Sequence, residues 1–413
     1  MRHLNTPLFL LYTAALLCYA SCKKNSPNKQ ASLSITSVSV SSGAYNTSVT
    51  INGTGFSTNL SADIVTFNSK AAIVTAATTT TLMATVPKGA GTGNISVAVG
   101  NAKAVGPVFN YTYTITVTTL AGSERDTALD GTGANAGFHG MWGLASDSHG
   151  NIYAPDPQSN TIRKITPDGV VTTFAGSGKL GYADGKGRAA TFGTPEAIVA
   201  DNADNLYVTD CYYKFIRKIT PDGTVTTLVD ARADFLNPEA LTIDENNNLY
   251  LYDYQTIYKI TPAGVVSKFI AASGSVAVSG MVRDKKGVFY LAAGQGIATV
   301  SETTSGFQPF AGGNTIGLQD GPALQALFNY PNGLAFDKDG NLIVADTDNW
   351  MIREVTTDGN VVSLLGRFHS GYPTVDGPAS VATFYAPFGI TFDPSGNLFI
   401  QDQSHKLRKA VFE

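Results

Sequence analysis

The chain has 413 residues, too many for one ordinary domain. Only 15% are charged, Gly numbers 42, and Thr, Ser, Asn and Val recur in short runs bounded by Gly, Pro and Asp, the composition of an all-β chain with many turns. A formal net charge of −4, with Lys and Arg spread through repeated strand motifs, leaves no basic face for nucleic acid, and three cysteines are too few for a thiolate metal cage once the leader is discounted.

Residues 1–21 open with Arg2 and His3, continue as an apolar run from Leu8 to Leu17 and close on small residues; the run is too short to span a bilayer. Tyr19-Ala20-Ser21-Cys22-Lys23-Lys24 resembles the lipobox of a bacterial lipoprotein, and its SCKK junction is similar to those of Bacteroidetes lipoproteins. The resemblance implies removal of 1–21, lipidation of Cys22 and attachment to the outer membrane through the lipid alone, with the exposed face left open. Residues 22–30 are polar and unpatterned, as a tether would be. Cys18 then leaves with the leader, Cys211 remains as a free thiol in a turn, and no internal disulfide is expected.

From 31 to 113 apolar residues alternate with Thr, Ser and Asn, and Gly-rich turns fall every 8 to 12 residues, which predicts a small β-sandwich. SVTINGTGF, ATVPKGAGTGNISVAV and the closing VFNYT resemble an IPT/TIG domain, which implies an Ig-like spacer or interaction module. Lys70, Lys88 and Lys103 are its only cations, so the DNA contact made by some domains of this fold is not expected.

Residues 114–413 contain an internal repeat whose six copies open at Gly143, Ala197, Ala240, Gly280, Gly333 and Gly389. Each copy carries a turn whose last position is Gly150, Asp204, Asn247, Gly287, Gly340 or Gly396, all residues that tolerate positive φ. A second turn reads TPDG at 166–169 and 220–223, with Pro pre-setting φ. Runs such as LYVTD, IRKIT and VTTFAG supply four strands per copy, and consecutive apolar residues suit sheets packed on both faces. These residues resemble NHL repeats, which implies a six-bladed β-propeller. The cations of IRKI read as solvated positions of an alternating strand. The sixth copy stops at LRKAVFE and its missing strand stands instead at TVTTLAG, 116–122, so the first strand of the region should complete the last blade and remove an open edge.

Four long connections between copies share an Asp-Gly pair, Asp130, Asp184, Asp320 and Asp376 with the following glycine, and a Phe eight residues after the Asp: Phe138, Phe192, Phe328 and Phe384. Asp-Gly predicts a tight turn and the Phe a plug, while the four loops together are candidates for walls around a central mouth. Asp156, Asp210, Asp253, Asp346 and Asp402 recur at one slot in five copies and read as structural.

The residue before each opening position should face the mouth. It is Trp142, Glu196, Glu239, Ser279, Asn332 and Phe388 in blade order, a set that no common structural demand explains. Two carboxylates, an amide and two aromatic rings suit a sugar or a cation. The expectation is therefore a non-catalytic envelope protein that binds a glycan or glycan-bearing partner, with no cofactor beyond a divalent ion such as calcium at the mouth. The alternatives are a metal-dependent lactonase or lyase of propeller type and a protein-binding scaffold. Glu196, Glu239 and Asn332 partly echo the calcium lactonases, but Ser279 and Phe388 supply no further acid, and His139, His149, His369 and His405 do not suggest a three-His zinc site.

Overall fold

A computed structural model describes residues 31–230, 237–271, 277–304, 306–313, 315–367 and 374–413. The leader, Cys22 and the tether lie outside the described residues. The chain divides into two units, one comprising 1–87 and 92–110 and the other 88–91 and 111–413. Among the described residues all regular structure is strand apart from short 3-10 turns, and no helix is long and apolar enough to cross a membrane.

The first unit is a two-sheet sandwich. One sheet runs Ser34–Val38, Ser48–Thr54, Thr81–Thr85, Ile73–Ala77; the other runs Ser42–Gly43, Ala102–Tyr111, Gly93–Val99, Asp63–Phe67, Lys70–Ala71. The alternation read in the sequence buries Val49, Ile51, Val65, Phe67, Leu82, Ile95, Val97 and Phe109 between the sheets and turns the intervening residues outward.

In the second unit six antiparallel sheets follow one another, their innermost strands being Ala145–Ser146, Pro195–Ala200, Ala240–Ile243, Val278–Arg283, Pro331–Phe336 and Pro387–Phe392. Each innermost strand touches the next, and the sixth touches the first, so the sheets form a ring of blades around a channel. The sixth sheet takes its fourth strand from Ile115–Gly122, which pairs antiparallel with Lys406–Phe412 from Ile115 opposite Phe412 to Gly122 opposite Lys406. Closure by the first strand is thus a fact of the sheet register. The six turn positions chosen for positive φ have it, from 60° at Asp204 and Asn247 to 89° at Gly287.

The arginines of the third strands depart from the sequence reading. Arg163, Arg217, Arg353 and Arg408 are wholly buried, not solvated. Each guanidinium lies over the ring of its loop Phe, 5.6, 5.0, 5.1 and 5.2 Å from the centroids of Phe138, Phe192, Phe328 and Phe384. One amino group donates to the carbonyl just before that Phe, as Arg217 Nη1 does to Thr191 O at 2.9 Å; the other donates to the Asp of the Asp-Gly pair, as Arg217 Nη2 does to Asp184 Oδ1 at 2.9 Å. The same loop Asp accepts from a hydroxyl of the outer strand: Thr173, Thr227, Ser363 or Thr119. The second-strand Asp accepts the backbone N–H that follows the Phe, His139, Gly193, Asn329 or Tyr385, and stands 2.9 to 3.8 Å from the guanidinium.

This lock explains the Asp-Gly pairs. They form no tight turn and no wall around the mouth: Gly131–Thr132, Gly185–Lys186, Gly321–Pro322 and Gly377–Pro378 are fifth strands on the outer edges of blades 1, 2, 5 and 6, on the side of each sheet away from the channel. In blades 3 and 4 the Arg position holds Tyr258 and Ala298, and among the described residues those sheets have four strands. The Arg, the loop Phe and the Asp-Gly pair are found together, while the second-strand Asp persists in blade 3 as Asp253, where it accepts the Thr256 N–H.

The next residue of the third strand is also less solvated than its sequence implies. Lys164, Lys218, Lys259 and Lys409 each lie over the ring opposite them on the second strand, 5.5 to 5.9 Å from Tyr153, Tyr207, Tyr250 and Phe399. In blade 5 both partners change, and Glu354 stands opposite Ile343. Burial, with Asp337 and Asp339 close by, pushes the Glu354 carboxyl up to about 7.

Two expectations follow. Arg353→Met leaves Asp346 buried beside no cation and should cost about 3–5 kcal/mol in a denaturant titration, the range for removing one partner of a buried pair; Tyr258→Phe, at the same position of an unlocked blade, should cost far less. Glu354 is more readily protonated folded than unfolded, so its contribution is full below about pH 4.5 and is lost as pH rises through about 7. Glu354→Gln should therefore raise the melting temperature at pH 8 and leave it unchanged at pH 4; an equal effect at both would show that the carboxyl is not so perturbed.

Candidate functional site

A cavity of about 480 Å³ opens along the ring axis, a size that suits a small-molecule ligand. Trp142, Glu196, Glu239, Ser279 and Phe388 line it, as the sequence predicts. Asn332 does not. Its side chain is buried and its amide donates to Tyr330 O at 3.0 Å and to Thr347 Oγ1 at 2.7 Å, and Thr347 in turn donates to Pro387 O at 2.8 Å. Asn332 thus ties blade 5 to blade 6, because its neighbour in the next turn is a hydroxyl that needs a donor.

The opening positions show how closely the inner strands approach. A Cβ at Gly333 would stand 2.2 Å from Phe388 O, and one at Gly389 would stand 2.2 Å from Trp142 O. Ala197 and Ala240 carry a methyl group at this position, so the joints between blades 2 and 3 and between blades 3 and 4 accommodate a Cβ, whereas at Gly280 one would stand 2.3 Å from Asn332 O. Glu196, Glu239 and Ser279 flank those two joints. The residue after each opening position is apolar in every copy: Leu144, Ile198, Leu241, Met281, Leu334 and Ile390, each 5–8% exposed, line the cavity. Sequence reading passed over this ring because any buried strand would carry such residues.

Trp142 and Phe388 come from adjacent blades, with ring centroids 5.5 Å apart and planes inclined by 55°; Trp142 is 41% exposed and offers a free face. Ser279 is exposed and donates to Pro331 O at 3.2 Å. Burial pushes the Glu196 carboxyl above its usual range, and the nearby Glu239 and Asp210 carboxylates add to this against a hydrogen bond from Cys211. Burial likewise raises Glu239, opposed by hydrogen bonds from Tyr254 Oη and the Val278 amide. Its Oε2 is shielded from water and has no hydrogen-bond partner. Cys211 donates to Pro238 O at 3.2 Å; burial first, then the charge of Glu196, holds its thiol far above the usual range, so it is no ready nucleophile.

Cys211 and Tyr254 belong to the turns between the second and third strands, which the sequence marks only as turns. The first of those turns also places Tyr213 beside Tyr182, with centroids 5.0 Å apart, and beside Tyr212 at 4.9 Å. Among the described residues no group of three or more His, Cys, Asp or Glu is arranged to hold a metal ion.

A family model for the IPT/TIG domain matches residues 33–117, and one described as the Teneurin NHL domain matches 181–374. The chain carries an IPT/TIG domain and an NHL domain. NHL repeat-containing protein 2 of Homo sapiens is 28% identical over 255 residues, covering 59% of this chain and 31% of that protein, and its Bos taurus counterpart is 26% identical over 261 residues. The chain thus spans less than a third of the length of these relatives. Among solved structures, a protein of unknown function from Bacteroides thetaiotaomicron superposes with a TM-score of 0.71 at 22% identity, covering 94% of this chain and 99% of that one. An auxiliary nutrient binding protein from Bacteroides ovatus superposes at 0.60 with 20% identity, covering 92% and 98%. At these identities the likeness is one of fold.

The contrast between Asn332 and the other mouth residues of the NHL propeller is measurable. Asn332→Ala leaves Thr347 without its donor and should cost about 1–3 kcal/mol of stability, whereas Trp142→Ala, at an exposed ring, should change the melting temperature by little; equal losses would place Trp142 in the core.

Proposed function

We propose that this chain is a binding protein of the bacterial cell envelope whose propeller mouth holds a small ligand, with a glycan or glycan-bearing partner as the leading class. The observation that carries the reading is the cavity of about 480 Å³ lined by an exposed aromatic face and two carboxylates, one of them hydrogen-bonded by the Tyr254 phenol. An aromatic face stacks on the apolar side of a sugar ring, and acceptors at the other wall orient hydroxyls. The description of the Bacteroides ovatus neighbour as an auxiliary nutrient binding protein supports this direction. In this reading Cys22 carries the lipid that attaches the chain to the outer membrane, residues 23–30 are the tether, and the IPT/TIG domain is a spacer.

The test is calorimetry of the mature chain against a glycan panel, with and without calcium. Saturable binding without turnover is expected. Glu196→Ala with Glu239→Ala should abolish it while changing the melting temperature little, because two carboxyls held above their usual range by burial add little net stability to the fold. Turnover of a lactone that stops with chelator and returns with calcium would replace the binding reading with an enzymatic one. Mass spectrometry of the mature N-terminus decides the anchor: a lipidated Cys22 is expected, and an unmodified Ser21 or Cys22 terminus would remove it.

A further inference from the structure

We propose that the mouth selects its ligand by positive charge: it takes a molecule with a protonated amine, seated against Glu196 and Glu239, whose uncharged body rests on Trp142, Phe388 and the apolar ring. The inference rests on the mouth being a binding site and names the chemistry of what enters it.

Among the described residues the lining of the cavity contains two carboxylates and no Lys, Arg or His. The two come from adjacent blades, and the charge of Glu239 adds to the upward shift of Glu196. A ligand that brings a positive charge is attracted to both carboxylates and offsets the repulsion that Glu196 meets. A neutral polyol supplies donors but leaves the repulsion in place. An anionic ligand adds a third negative charge.

The other wall fits the same ligand. The free face of Trp142 and the ring of Phe388 attract a cation or the polarised C–H groups beside it, and below them Leu144, Ile198, Leu241, Met281, Leu334 and Ile390 accept only an uncharged body. A bare divalent ion is a poorer fit, because no third acidic, thiolate or imidazole group converges with the pair among the described residues.

Charge selection has a proton signature. Both carboxyls are shifted upward from their usual range, Glu196 with Cys211, Asp210 and Glu239 around it and Glu239 with Tyr254, so each holds a proton more readily than a free carboxyl does. Binding a cation favours the ionised forms, so protons are released on binding and affinity rises with pH until the ligand amine itself deprotonates.

Calorimetry with two matched pairs tests this: a glucosamine disaccharide against its N-acetylated form, and 2-phenylethylamine against its N-acetyl derivative. The pairs separate a sugar amine from a simple aryl amine. In at least one pair the free amine should bind about tenfold or more tightly than the acetylated form, with proton release seen as a dependence of the heat on buffer ionisation enthalpy. Glu196→Gln with Glu239→Gln keeps the shape and should erase the preference. Equal or weaker binding of the free amine in both pairs, an undiminished preference in the double variant, or tighter binding of a glucuronate oligomer overturns the proposal. If a neutral glycan binds and Trp142→Ala abolishes it while no amine is preferred, the mouth remains the binding site and charge selection alone is wrong.

Discussion

The arrangement of the second unit depends on four buried guanidinium groups. Taking a guanidinium out of water is costly, and the cost is offset only when its donors find acceptors in fixed directions. Arg163, Arg217, Arg353 and Arg408 each find a loop carbonyl, a loop carboxylate, a carboxylate at the end of the second strand and an aromatic face, and only Nε is left without an acceptor in all four. The acceptors belong to three different parts of a blade. One side chain therefore fixes the outer edge, the middle of the sheet and the loop that crosses above it.

The consequence reaches the mouth through the chain itself. Each locked loop runs from the outer edge of its blade, over the buried Phe, to the innermost strand, at or just before whose start stand Trp142, Glu196, Asn332 and Phe388. The aromatic pair at the mouth is thus delivered by two locked blades, 1 and 6. Blades 3 and 4 have no lock, reach the channel by shorter connections, and deliver Glu239 and Ser279. The acidic side of the cavity lies where Ala197 and Ala240 replace the glycines found at the other opening positions. Locked blade 2 and unlocked blade 3 each supply one of its carboxylates, so the lock fixes how a loop is held and not where the charge falls.

Much of this fold was legible because its signals are local. The positive-φ residues at Gly150, Asp204, Asn247 and the matching positions are dictated by turn geometry a few residues long, and the displaced strand at 116–122 could be matched to the strand missing after LRKAVFE. The mouth position was legible by register in five copies, since the residue before the opening position lies at the start of the innermost strand, and Asn332 at the same register turns away. The arginines were misread because alternation along IRKI predicts only which face a side chain takes; it says nothing of whether another segment covers that face. Arg217 is covered by a loop whose Asp lies 33 residues earlier, and the same loop moves Asp184 from the expected mouth wall to the outer edge.

The amino-acid sequence by itself determined the two β units, the repeat, the closure of the ring by its first strand and five of the residues that meet at the mouth, because each is set by periodicity, turn chemistry or position within a copy. Tertiary structure alone decided that Asn332 turns away to bond Thr347, that Cys211 and Tyr254 join the carboxylates, that Glu354 sits with Asp337 and Asp339, and that four arginines are buried. The physical reason is common to all of them. A polar side chain goes where its partners are, and here the partners lie in other strands, turns and blades brought close only when the ring closes.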